Sequence, residues 1–354
     1  MPRIAVGGKP YWCRAALLVT PFLLLALLPG SVVAAHPRDA KAEHRAAVIA
    51  YWTPARMKAA KPLDYVFDAV RGFHQEKANP NRGKPGGGGG GGVTSVTGST
   101  WEGGGKMLTT TGRVLFHLST GDYICSGSVV DDGDATDGHA IVLTAGHCVT
   151  GNTAGSFATN WLFIPEFDSA PTYSCAATTY GCWVADALYA STAFATAGGF
   201  NNTATRNDWG FARVTAGDRD GGQLDTKVGS FPISFSSVAS GTVLSSFGYP
   251  AASPWTGNQL VYSRGAVSFD ALNGNATYGM TSNQTGGSSG GPWVIATNYT
   301  SYADASLRSV NSYKYNFDKN SMYGPKFNGN TEAVYTAADA GGAPGAGVSW
   351  KDLP

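Results

Sequence analysis

Charge of either sign is scarce in this 354-residue chain: only 14% of its residues are Asp, Glu, Lys or Arg, and they leave a net charge of +1. A surface that tracks nucleic acid needs a concentrated excess of Lys and Arg, so nucleic acid is excluded as a partner. Histidine is sparse as well, with six in all and none after His147. Cysteine is limited to five positions with no C-x-x-C pair. Structural zinc sites are built on such paired spacing, so no metal and no cofactor is expected. Long apolar runs are missing except for Ala15 to Leu28, which Thr20 and Pro21 interrupt. That run is too short to span a bilayer comfortably. It follows Arg3, Lys9 and Arg14 and precedes Val33-Ala34-Ala35, the order of a secretory signal cut after Ala35. Residues 1–35 are therefore expected to be a signal peptide and the rest a secreted, extracellular protein with no membrane contact after signal removal. Export permits disulfides. Cys13 leaves with the signal, and Cys125, Cys148, Cys175 and Cys182 allow three pairings, of which the sequence neighbours Cys125 with Cys148 and Cys175 with Cys182 are the simplest.

What is abundant is glycine, 48 residues, and seven of them run without interruption from Gly86 to Gly92. A stretch with no side chains to bury reads as a tether, so 86–99 is expected to be a linker. Charge differs on its two sides. Residues 36–85 hold ten Lys or Arg against five Asp or Glu, net +5, whereas 86–354 hold twelve against nineteen, net −7. Opposite fields attract. Within the basic segment, Val48, Ile49 and Trp52, then Leu63, Val66, Phe67 and Val70, recur at helical spacing, and Pro54 and Pro62 divide it into short helices. Beyond Trp101 the texture changes to short apolar or alternating runs between Gly, Asn, Asp and Ser, among them Arg113–Leu118, Ala140–Leu143, Gly210–Val214 and Thr242–Phe247. These are strand signals at hairpin-like spacing, and 100–354 is expected to be one all-β domain of antiparallel barrel or sandwich type. One helix over Thr331–Ala338, capped by Asn330, is expected near the end. The acidic run Asp131 to Gly138 lacks calcium-loop spacing, with Leu143 where a ligating glutamate would stand, and reads as a solvated hairpin tip.

Three pieces carry chemistry. Ile141 to Cys148 is a strand that runs into a turn presenting His147. Asp208 stands just before an apolar strand, and Gly286-Gly287-Ser288-Ser289-Gly290-Gly291-Pro292 holds serines between glycines. A serine hydroxyl becomes a strong nucleophile only when a neighbouring base takes its proton. Histidine suits that role near neutral pH. A carboxylate on the other ring nitrogen fixes the tautomer and stabilises the cation that forms, while converging backbone N–H groups of a glycine-walled loop hold the oxyanion. Gly287-x-Ser289-x-Gly291 also fits the nucleophile elbow of the α/β-hydrolases, but there the histidine follows the serine, and this chain has none to offer. Subtilisin order needs parallel strands with crossover helices, and no long helical period lies between 140 and 290. The order His, Asp, Ser remains.

Thr144-Ala145-Gly146-His147-Cys148 and Gly287-Ser288-Ser289-Gly290-Gly291-Pro292 resemble the histidine and serine boxes of the chymotrypsin-like serine proteases, most closely the secreted bacterial members. Cys125-Ser126-Gly127-Ser128 is similar to the strand whose cysteine bridges to the one beside the catalytic histidine. The resemblance spans roughly 110 to 315. It implies two antiparallel six-stranded β-barrels with the site in the cleft between them. It also implies Ser289 as nucleophile, His147 as base, Asp208 as its orienter, and the amides of Gly287 and Ser289 as the oxyanion hole. Asn283 takes the place of the specificity pocket's base, and Ser312 falls on the substrate-binding strand. A neutral amide cannot pair with Arg or Lys, which argues against trypsin-like preference. The chain departs from the animal enzymes at Ser288, where they carry the aspartate that pairs with a freshly cut N-terminus. Activation is therefore expected to proceed by removal of the segment from 36 to about 92, whose basic part 36–85 is a propeptide that docks on the catalytic domain as inhibitor or folding aid. The expected partners are a protein or peptide substrate and this propeptide, and the active form is expected to be a monomer. The rival readings are a non-catalytic binding module on the same fold and an esterase with little peptidase activity.

Overall fold

A computed structural model describes residues 7–11, 37–76, 95–134, 136–169, 173–215 and 222–353. The chain divides into Met1–His36 and Pro37–Pro354. The expected signal run and the glycine run 86–92 lie outside the described residues.

The basic segment begins with helices α1 (Pro37–Tyr51) and α2 (Pro54–Ala59), the second capped by the Thr53 side chain with Pro54 at its start. It differs from the helical expectation after Ala60. Strands β1 (Lys61–Pro62), β2 (Tyr65–Asp68) and β3 (Gly72–Gln75) follow, with β2 and β3 forming a hairpin. The Asp68 carboxylate accepts from the amides of Val70 and Arg71 and turns the chain, while pairing with the body of the protein overrides the helical spacing of Leu63 to Val70. Strand β4 (Val96–Thr100) comes after the glycine run.

The first half of the body is a closed barrel. Strands β5 (Thr111–Leu118), β6 (Gly121–Val130), β7 (His139–Thr144), β8 (Thr159–Pro165), β9 (Trp183–Ser191) and β10 (Gly210–Thr215) are ordered β6-β5-β8-β9-β10-β7, and β7 returns to β6. Every neighbouring pair in that ring is antiparallel. Phe116, Phe163, Trp161 and Leu143 are fully buried in its core. The disulfide Cys125–Cys148 ties β6 to the turn after β7, and Cys175–Cys182 closes a short loop before β9. A sequence separation of 23 in the first bridge corresponds to about 3 kcal/mol of lost unfolded-state freedom.

The second half contains β11 (Val243–Gly248), β12 (Val261–Ala266), β13 (Ser268–Phe269), β14 (Thr277–Thr281), β15 (Pro292–Ile295), β16 (Ser306–Val310), β17 (Tyr313–Tyr315) and β18 (Asp318–Pro325). They form two sheets, β16-β15-β11-β12-β4 and β13-β14-β18-β17-β2-β3. Strands β12 and β13 are separated by one residue and join the sheets at a bend. The helix Gly329–Ala340 follows, capped by Asn328 in place of the expected Asn330, with Thr331 completing a capping box. Strand β19 (Val348–Asp352) then pairs with β9.

Segment 37–76 packs on both halves. Val48, Trp52 and Met57 are buried, and Trp52 Nε1 donates to Asn160 O at 2.6 Å. Lys41 pairs with Asp186 at 2.8 Å, basic segment against acidic body. Such partly exposed pairs are worth little energy individually, so apolar burial dominates. Strand β1 pairs in parallel with β6 and β2 in parallel with β17. Residues 61–68 therefore cross from one half to the other.

Candidate active site

Strand register brings the histidine and the acid together. Gly210 at the start of β10 is opposite Thr144 at the end of β7, so the turns flanking them share one end of the barrel. After β7 the chain makes a single 3-10 turn, Gly146–Cys148, pinned by its disulfide. The short helix Asn202–Arg206, capped by the Asn201 side chain, ends at Asn207 and delivers Asp208 directly before β10.

Asp208 and His147 are both fully buried. One carboxylate oxygen accepts from the His147 backbone amide at 2.9 Å, and the other meets Nδ1 at 2.8 Å. The Ser312 hydroxyl donates to that second oxygen. A carboxylate only accepts, so the ring proton belongs on Nδ1 and the basic lone pair on Nε2. Nε2 is buried and has no hydrogen-bond partner among the described residues.

Ser289 is delivered from the second half by the loop before β15, and that loop is anchored on the first barrel. Its carbonyl accepts from the Ser126 amide at 2.7 Å, and the Ser126 hydroxyl donates to Gly287 O at 2.9 Å. Two glycines are required here. Gly290 has φ +79° and a Cβ there would lie 2.1 Å from Thr144 Oγ1, while Gly287 has φ +97° with Tyr249 O 2.9 Å from its Cβ position. Among the described residues, neither the Gly287 nor the Ser289 amide donates a hydrogen bond. Asn311, which sequence reasoning missed, braces the same loop: its Nδ2 donates to Phe247 O and Ser288 O, both at 3.0 Å, and its Oδ1 accepts from Trp293 Nε1. Nothing in an isolated Asn signals that role.

Of the two expected substrate-binding residues, Ser312 joins the site through Asp208. Asn283 packs its amide oxygen against Gly98 of β4, where that oxygen is buried with no hydrogen-bond partner among the described residues. Tyr313 and Tyr315 both donate to Asp270 Oδ2, which makes them packing residues of a buried network. Burial first, then the neighbouring phenol or carboxylate, pushes both hydroxyls well above the usual tyrosine range. A further residue in the site comes from the basic segment. Tyr65 stacks on Phe200 with centroids 4.0 Å apart and meets the His147 ring edge-on at 5.3 Å. Burial, with the Asp208 charge behind it, pushes the Tyr65 hydroxyl up to about 12.

No family model matches the chain, and no curated protein does. Solved structures do match. The protease Anisep from Arthrobacter nicotinovorans is 36% identical over 66% of this chain and 97% of its own, with a TM-score of 0.56. The thermostable serine protease AL20 from an extremophilic microorganism is 32% identical over 67% of this chain and 100% of its own, with a TM-score of 0.57. The chain belongs to the chymotrypsin-like serine proteases. A Glu endopeptidase, 14% identical over 69% of this chain and 97% of its own at a TM-score of 0.50, shares the fold.

In this serine protease the acidic run 131–138 forms the tip between β6 and β7. Asp132, Asp137, His139 and Asp339 converge there, with His139 Nδ1 3.0 Å from Asp137 and its Nε2 3.5 Å from Asp339. Burial, then the Asp225 and Asp137 charges, push the Asp132 carboxyl up to about 7. The folded chain thus holds this proton more tightly than the unfolded chain. Stability from this group is present below about pH 4 and is lost as pH rises to about 7. Asp132→Asn is therefore expected to raise Tm by on the order of 2 °C at about pH 8 and to leave it unchanged near pH 4. Calorimetry of both proteins at the two pH values measures this, and an equal shift at both would refute the assignment.

Proposed function

We propose that this chain is a secreted serine endopeptidase made as a precursor, with Ser289, His147 and Asp208 as its triad. One observation carries the reading: a single buried carboxylate holds both the backbone and the ring of His147, leaving Nε2 as an unpartnered base. In the reaction Ser289 Oγ attacks the peptide carbonyl carbon as Nε2 takes its proton. The tetrahedral oxyanion is received by the amides of Gly287 and Ser289, each worth about 3 kcal/mol in the transition state. His147 returns the proton to the leaving amine, and water, activated by the same nitrogen, releases the acyl group. No hydrogen bond joins Ser289 Oγ to Nε2 while segment 37–76 lies over the histidine, and the reaction requires that pair to form.

The precursor half of the reading rests on segment 36–85. Tyr65 covers His147, and Asp64 lies against Gly286 with its Oδ2 3.1 Å from the Cβ position there. The Asp64 carbonyl accepts from the Glu76 amide at 2.9 Å, which extends the pairing of β2 with β3 and holds the segment in place over the histidine. Secretion is supported by the two disulfides, which belong to oxidising compartments.

The test is covalent labelling with a fluorophosphonate. The processed protein should carry one adduct, on Ser289, and the precursor should label far more slowly. A processed, folded protein that takes no adduct is a binding module and not an enzyme.

A further inference from the structure

At the other end of β7, the tip that follows β6 repeats the arrangement that holds His147. Asp137 receives the His139 backbone amide on one carboxylate oxygen at 3.1 Å and meets the ring Nδ1 with the other at 3.0 Å. A carboxylate only accepts, so the ring proton belongs on Nδ1 and the lone pair on Nε2. His139 is 6% exposed, and its Nε2 is buried with no hydrogen-bond partner among the described residues. That lone pair faces a carboxylate. Asp339 Oδ1 lies 3.5 Å away, longer than a hydrogen bond of about 2.9 Å.

Asp132 completes the cluster. Both of its carboxylate oxygens are buried, and neither has a hydrogen-bond partner among the described residues. One donor atom from each of Asp132, Asp137, His139 and Asp339 lies within 4.8 Å of all the others. Three carboxylates therefore meet around one imidazole, and the Asp225 charge acts on Asp132 as well. Arg213 brings one positive charge, its Nη2 3.2 Å from Nδ1, and leaves the balance negative. Asp339 adds to the imbalance by its position. It stands in the last turn of the helix Gly329–Ala340, which has no basic residue there, and the carbonyl end of a helix favours a cation.

Buried acceptors that face one another are costly unless a cation joins them. The spacing selects which cation. Two ligand atoms about 2.1 Å from an ion and set at the tetrahedral angle stand about 3.4 Å apart, and Nε2 and Asp339 Oδ1 stand 3.5 Å apart. Calcium and magnesium take oxygen ligands, whereas an imidazole nitrogen with carboxylates suits zinc. We propose that His139 Nε2, Asp132 and Asp339 bind a zinc ion, with Asp137 orienting the imidazole through Nδ1. The ion ties the root of β7, the strand that leads to His147, to the helix Gly329–Ala340. Tip and helix are far apart in the chain, so the paired spacing that marks cysteine zinc sites does not reveal the set.

The full chain is stripped with EDTA, and zinc, calcium and magnesium chlorides are added back in turn. Bound metal is counted by native mass spectrometry, and stability is read as Tm. Zinc should bind through this set and, at about a hundred times its Kd, raise Tm by about 4 °C. Calcium and magnesium should do neither. His139→Gln and Asp339→Asn should each weaken zinc binding by about a hundredfold or more and lose the rise in Tm. Asp137→Asn leaves the three ligands in place and should weaken binding by about tenfold. Asp132→Asn separates metal binding from packing: in EDTA it should be the more stable chain at about pH 8, and in zinc the less stable one. Wild type that binds no zinc, or that prefers calcium, overturns the proposal and leaves His139 as a histidine paired with two carboxylates. Zinc whose affinity is unchanged in both His139→Gln and Asp339→Asn overturns it too, because the ion is then held elsewhere. The wild-type metal panel decides the matter even where a variant does not fold.

Discussion

Ser289→Ala should lose peptide hydrolysis by about five to six powers of ten in kcat while keeping its fold. The side chain removed is small, and no hydrogen bond anchoring the loop depends on it. Ser289 holds the loop through its carbonyl on the Ser126 amide, and Gly287 through its carbonyl on the Ser126 hydroxyl. Those contacts survive the change, so circular dichroism and Tm should match the wild type. What disappears is the atom that forms the acyl bond. The residual rate reflects the amides of Gly287 and Ser289 acting on a bound substrate and water. A purified variant that digests casein at more than about a thousandth of the wild-type rate would show that Ser289 is not the nucleophile.

Asp208→Asn should lower kcat by about ten thousandfold with little change in KM. The carboxylate receives three donors: the His147 amide, the His147 ring and the Ser312 hydroxyl. An amide of the same shape offers one acceptor oxygen and one NH2 group. Whichever way it turns, a donor faces a donor, and the imidazole relieves the conflict by moving its proton to Nε2. That nitrogen then cannot accept from Ser289. Steady-state kinetics on an amide substrate reads the effect, and a loss smaller than tenfold would show that another group orients the histidine. The loss should also appear in the rate of fluorophosphonate labelling, because that reaction needs the same proton transfer.

The two turns that hold His147 and Ser289 were legible in the sequence for a physical reason. Ser289 sits in a turn whose glycines are dictated by backbone conformation, as Gly287 and Gly290 show by their positive φ, and the His147 turn is marked by the cysteine that pins it. Such turns leave a local signature that survives without knowledge of long-range packing. The strands of the first barrel were legible too, because Arg113–Leu118 and Ala140–Leu143 are buried runs bounded by turn residues. Strand β2 was not. Its Val66 and Phe67 fit a helical period together with the later Val70, and pairing with β3 and with β17, nearly 250 positions away, makes them a strand and leaves Val70 in the turn. Strand β4 was hidden by composition, since Val96-Thr97-Gly98-Ser99-Thr100 has little apolar content and gains its order from β12.

Strand β4 has a bearing on how the active enzyme begins. Its residues supply the outer strand of a five-stranded sheet, and Trp101 immediately after it is buried against Phe247, Tyr262 and Tyr302. On the precursor reading, trimming that reached Val96 would strip this ribbon away and lay bare the polar edge of β12. Trimming that stopped before Tyr65 would leave its ring on the histidine. The same reading therefore confines the new amino terminus to the stretch between Tyr65 and Val96, with the outer strand of the sheet as the limit of what can be removed.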